Sequence, residues 1–153
     1  MGEATLVETA GETLEGMRTI RLRVPARAEY IALARLALSG LADIVSMPEE
    51  LIADLKLALT EAVSNSVRHA YRGGDGFVSV AYELSGGALA VEVVDDGEGF
   101  DPERPPALEG EELTEGGLGI AIIRTIVDDF QLDSRPGVRG SRLRFVKRLR
   151  PPV

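Results

Sequence analysis

The chain has 153 residues, 44% hydrophobic and 27% charged, with no Trp, which is ordinary globular usage at a length one domain can fill with a core of its own. Its net charge of −8 repels a nucleic-acid backbone, which proteins bind by neutralising phosphates with Lys and Arg. Zero Cys and a single His exclude a disulfide framework, a zinc ribbon, a thiol nucleophile and an HExxH metal site. No apolar run approaches the roughly 18 residues of a membrane span, and the first residues lack a charged-then-apolar signal pattern. The expectation is a cytoplasmic protein with no direct nucleic-acid or membrane partner.

Residues 1–18 show no sustained periodicity and read as a flexible leader, with one domain expected over 19–150. Thr19 to Val24 alternates polar and apolar residues and stops at Pro25, which predicts a half-buried strand. From Glu29 to Val45 an apolar run interrupted by Arg35 and Asp43 predicts a long helix. Ser46, followed by Pro48 and Glu49, reads as the N-cap of a second helix that runs to about Tyr71.

Two alternating runs, Phe77 to Leu84 and Ala88 to Val94, joined by Ser85-Gly86-Gly87, predict an antiparallel hairpin. Residues 97–117, rich in Gly, Pro and Glu, are too long for an ordinary connection and read as a mobile, lid-like loop. A helix is expected after Gly119, then a strand at 130–133, a turn at Arg135-Pro136-Gly137 and a last strand at 142–150. The order β-α-α-β-β-loop-α-β-β predicts an α+β two-layer sandwich, a mainly antiparallel sheet with helices on one face.

Neither a Walker A loop nor a strand-linked GxGxxG is present. Chemistry instead concentrates in three pieces. Glu61-x-x-x-Asn65 sits within the second helix, where four residues bring the two side chains to one face about 6 Å apart along the axis. A carboxylate there can take a proton and the amide oxygen can ligate Mg²⁺, although the pair fits a solvated face set off from the apolar stripe at least as well. Asp95-Asp96-Gly97-Glu98-Gly99 ends a strand; it reads equally as a turn or as a carboxylate facing an exocyclic amine such as adenine N6, with glycines permitting close approach. Gly116-Gly117-Leu118-Gly119 opens the next helix, where free N–H groups and the positive dipole end suit an anion.

The run from Leu57 through Glu61 and Asn65 to His69-Ala70-Tyr71, then Val94 to Phe100, then Glu115 to Ile120, resembles the GHKL ATPase superfamily and, more narrowly, the RsbW-type anti-sigma factor serine kinases. The resemblance spans about Ile20 to Val146. It implies a Bergerat ATP-binding fold and ATP-dependent phosphorylation of a serine on a STAS-domain antagonist, with a sigma factor as second partner and a homodimer as the working form. By position it implies Glu61 as general base, Asn65 as Mg²⁺ ligand, Asp95 as adenine reader, and Gly97 and Gly99 as shapers of the base pocket. Gly116, Gly117, Leu118 and Gly119 would hold the phosphates under the lid, with Gly140-Ser141 behind the nucleotide. Arg35 falls on what resembles the partner-facing helix, and His69 is assigned no catalytic role. A switch-complex kinase, an ATP hydrolase and a non-catalytic nucleotide-gated binding module stay open as rivals.

Overall fold

Period-two alternation organises the sheet. The computed structural model describes residues 5–13, 17–70, 76–98, 112–135 and 137–149, with side chains at 18–68, 76–97, 118–135 and 137–149. Its strands are β1 (Thr5–Thr13), β2 (Met17–Pro25), β3 (Phe77–Ser85), β4 (Ala88–Glu98), β5 (Asp129–Asp133) and β6 (Arg139–Arg148). They form one six-stranded sheet in the order β1-β2-β3-β4-β6-β5, every neighbouring pair antiparallel. Leu22, Val24, Val78, Val80, Tyr82, Leu89, Val91, Val93, Leu143 and Phe145 take the inward positions and are buried. Arg21, Arg23, Ser79, Val94 and Arg142 alternate with them and are exposed, so one face meets the core and the other meets water. On the wet face Arg142 pairs with Glu92 and Arg144 Nη1 lies 3.0 Å from Glu83 Oε2.

The core is completed by helices on one face: α1 (Ile31–Val45), entered through a 3-10 turn at Ala28–Tyr30, α2 (Glu49–Ala70) and α3 (Glu112–Ile126). The α2 helix packs on β4 and β6, with α1 and α3 against its flanks. Leu38, Leu55, Leu59, Val63 and Ile123 bring its apolar stripe and theirs into one fully buried layer. The expected α+β two-layer sandwich is what forms.

Several local expectations change. Residues 5–13 are not a loose leader but the edge strand β1, paired with β2. Register shifts between Thr5 and Glu8 and between Ala10 and Thr13 break the alternation that a regular strand would show in sequence. Ser46 does not cap α2. It stands in the left-handed region (φ 56°, ψ 55°) as the C-cap of α1, with the Met47 N–H donating to Ala42 O at 3.1 Å, because a left-handed residue in the short reversal between the two helices, residues 46–48, lets the following N–H satisfy a last-turn carbonyl. Between β3 and β4, Gly86 (φ 57°) and Gly87 (φ 77°) make a two-residue turn, one residue shorter than the expected Ser85-Gly86-Gly87 connection, because Ser85 pairs with Ala88. Tyr71 and residues 99–111 of the expected lid lie outside the described residues.

The buried Tyr82 hydroxyl donates to Ala34 O at 2.7 Å, tying β3 to α1. Burial pushes the phenol pKa well up, so the group stays a donor at any ordinary pH. Tyr82→Phe is expected to cost about 1 kcal/mol, seen as a lower urea midpoint with an unchanged m-value.

Candidate functional site

The inward positions of β4 read Leu89, Val91, Val93 and then Asp95, so the same alternation that builds the core carries a carboxylate into it; only 5% of Asp95 is exposed. The Gly97 N–H donates to Asp95 Oδ1 at 3.1 Å, and the Ser66 hydroxyl and the Ser141 backbone N–H also donate to the carboxylate. Burial holds the Asp95 pKa above the usual carboxylate range; the Gly97 and Ser66 hydrogen bonds pull it back, the charge of Asp96 raises it again, and the Ser141 N–H opposes. A register shift between Asp95 and Glu98 lets β4 bend here.

Facing Asp95 across the ladder is the start of β6. Gly140 has φ 97°, a backbone angle that favours glycine, and a Cβ there would stand in ordinary contact, 3.4 Å from Asp95 O. Its neighbour Ser141 is buried, with Oγ 2.9 Å from Ser134 Oγ. Asp95, Ser134, Gly140 and Ser141 line a cavity of about 390 Å³ together with Val94 and Arg142 of the outer sheet face, within the size range of small-molecule pockets.

The α2 helix brings further polar residues to the inner side of Asp95. Asn65 and Ser66 are 6% and 5% exposed, which corrects the expectation of a polar face set off from the apolar stripe. Asn65 follows Ala58 and Ala62, both at 0%, by seven and three residues, so it continues the buried face. Ser66 lies four residues after Ala62 and reaches Asp95. Glu61 is half-buried and faces α3: a Cβ on Gly119 would stand 2.6 Å from Glu61 Oε1, so any larger residue at 119 pushes the carboxylate aside.

The glycine cluster departs from expectation. The α3 helix begins at Glu112 rather than after Gly119, which places Gly116, Gly117, Leu118 and Gly119 beyond its first four residues. Their N–H groups are therefore spent inside the helix, and the free ones belong to residues 112–115. Acidic residues at 112 and 115 favour a helix start there, a signal outweighed in sequence reading by the glycines. Leu118 is exposed, and Ile123 anchors the helix to the core. Gly97 is buried in its turn, whereas Gly99 lies outside the described residues. Arg35 stands on the outer side of α1 with Leu36 and Ile44, which are 65% and 64% exposed.

The structure thus brings Glu61, Asn65, Asp95, Gly97, Gly119 and Ser141 to one end of the sandwich. It adds two residues that sequence reading missed: Ser66, legible in principle as the next buried turn after Ala62, and Ser134, which no pattern marks. Among the described residues no three His, Cys, Asp or Glu side chains cluster as a metal cage. Glu61 and Asn65 nonetheless offer hard oxygen donors, the set that suits Mg²⁺ shared with phosphates. No helix among the described residues is long and apolar enough to cross a membrane.

Residues 24–147 match the family model described as a histidine kinase-like ATPase domain. The chain is 41% identical over 136 residues to a serine-protein kinase RsbW of Listeria innocua, covering 83% of this chain and 87% of that one. To a protein of the same name from Staphylococcus aureus it is 34% identical over 139 residues, 84% of this chain and 87% of the relative. A solved structure of RsbU and RsbW domains from Mycobacterium tuberculosis superposes with a TM-score of 0.63 at 22% identity, over 87% of this chain and 33% of the longer one, a likeness of fold.

Asp95 makes stability depend on pH in a definite sense. Its folded pKa lies above the ordinary 3.8, so its favourable contribution is complete below that value and is lost as pH rises through the folded pKa. The stability of Asp95→Asn relative to the parent, without ligand, is therefore expected to shift in the variant's favour as pH rises from 3.8 toward 7. Urea titrations at both ends of that range check it, and a difference independent of pH would refute the linkage.

Proposed function

The chain belongs to the histidine kinase-like ATPase family and, within it, to the RsbW serine-protein kinases, and from that premise we propose that it transfers the γ-phosphoryl group of ATP to a serine of a STAS-domain antagonist. We further infer that it holds a sigma factor when not so engaged, acting as a cytoplasmic homodimer. The observation that carries the reading is the convergence, at one end of the sandwich, of buried Asp95 and Asn65 with half-buried Glu61 one helical turn earlier.

Asp95 accepts from the exocyclic amine of adenine, and the glycines at 97 and 140 let base and backbone come close. Asn65 Oδ1 would hold Mg²⁺ together with the nucleotide's own phosphate oxygens, and the ion supplies charge neutralisation on the transferring group. Glu61 takes the proton of the attacking serine hydroxyl as its oxygen bonds to the γ-phosphorus and the bond to the ADP oxygen breaks. Gly99 and the segment 116–119 would enclose the phosphates, which requires the first turns of α3 to open. Three glycines in four residues lower the cost of that opening, each being about 1 kcal/mol poorer than Ala inside a helix. Arg35, flanked by Leu36, is the contact proposed for the protein partner.

Glu61→Gln keeps size and reach while removing basicity. It is expected to bind ATP and the sigma partner as before, with phosphoryl transfer to the antagonist lowered on the order of 10²–10⁴-fold in single turnovers at saturating ATP. Transfer at the parental rate contradicts the base assignment, and rapid phosphate release without any protein substrate moves the reading to an ATP hydrolase. Asn65→Ala is expected to abolish transfer while Mg²⁺-free ADP binds it about as well as the parent. Calorimetry with and without the metal separates that outcome from collapse of the pocket.

A further inference from the structure

We propose that Gly119 is a positioning residue for phosphoryl transfer, its missing side chain leaving the space in which the Glu61 carboxylate stands. This rests on the reading of Glu61 as the base. A Cβ on residue 119 would stand 2.6 Å from Glu61 Oε1, 3.6 Å from its Cδ and 3.7 Å from its Cβ, so the acid lies along the α3 backbone for the length of its side chain. The backbone does not ask for glycine here. Gly119 sits inside α3 with φ outside the left-handed region, a setting in which Ala is the better residue. Gly119 is itself buried, and Ile123, one turn later, is fully buried in the core, so opening of the turns before Gly119 leaves the contact in place.

A glutamate side chain has several staggered rotamers and can hold its carboxylate in several places. A general base has one useful place, within about 2.6–3.2 Å of the oxygen whose proton it takes. A methyl group at 119 would move the nearer carboxylate oxygen by about 0.8 Å, from 2.6 Å to the 3.4 Å of ordinary contact. A misplacement of about 1 Å costs on the order of 10²-fold in rate. The atom in the way is the end of a flexible side chain, so the base yields and the fold does not.

Gly119→Ala in the full chain is therefore expected to melt no lower than the parent. In single turnovers at saturating ATP it should transfer roughly 10- to 100-fold more slowly, with KM for ATP little changed. Rescue separates positioning from any other role. Glu61→Asp shortens the acid by one methylene and withdraws it from residue 119. Alone it too is slow, but adding Gly119→Ala to it is expected to leave its rate unchanged rather than multiply the two losses, the non-additivity of groups in contact. Multiplied losses, a rise in KM without a slower single turnover, or no effect at all overturns the proposal. Should Gly119→Ala fail to fold alone, the double variant, in which the withdrawn acid makes room, is compared with Glu61→Asp: equal rates support the contact and a slower double variant overturns it. Transfer at the parental rate in Glu61→Gln removes the base reading and this inference with it. A slow Glu61→Gln beside a Gly119→Ala of parental rate removes only the inference.

Discussion

A carboxylate has been carried into the apolar layer by the pleat of β4. Side chains on a strand alternate strictly, so once Leu89, Val91 and Val93 face the helices, Asp95 faces them too. A charge so placed must be met, and the surroundings follow from that need. The Gly97 N–H reaches back from the bend, Ser66 reaches down from α2, and the Ser141 N–H comes from the ladder with β6. These bonds do not cancel the desolvation, since the pKa stays above its ordinary value. A buried acid retained at a cost in stability is a mark of a binding or catalytic site rather than of a structural turn.

The same logic runs along α2. Its buried stripe passes through Leu55, Ala58, Leu59 and Ala62, and the next turn presents Asn65 and Ser66. The apolar layer thus ends in a polar rim where strand and helix arrive together, and core packing locates the oxygen donors. Glu61, one turn back and on the flank toward α3, is held differently: its carboxylate lies against the backbone at Gly119. The position of α3 and the position of this acid are consequently linked, so a shift of one is felt by the other. Lys147 Nζ, donating to Ile126 O at 2.6 Å, secures the C-terminal end of that helix.

Both faces of the sheet serve distinct purposes. The inner face is continuous hydrocarbon from Leu22 to Phe145 and supplies most of the stabilisation, because burial of apolar area is the dominant favourable term. The outer face carries charged pairs such as Arg144 with Glu83, which are worth little individually but keep the second side of an antiparallel sheet soluble. An overall acidic chain therefore still presents rows of arginine on one surface.

What the amino-acid order determined by itself was the periodic part: helix and strand identities, the glycine turn at 86–87, the two-layer class, and the trio of Glu61, Asn65 and Asp95 as the place to look. These depend on local spacing, which a linear sequence displays. Tertiary structure alone decided where local signals compete or are silent. The β1 strand exists because β2 offers it an edge, and its irregular register hides it from any periodicity. The handedness of Ser46 follows from the reversal between two packed helices, and the start of α3 at Glu112 from acids whose preference the glycines obscure in sequence. Asn65 changed from a solvent-facing residue to a buried one because only packing tells which side of a helix is covered. Ser134 became part of the site through one 2.9 Å contact across a turn, a proximity between residues that share neither a period nor a motif.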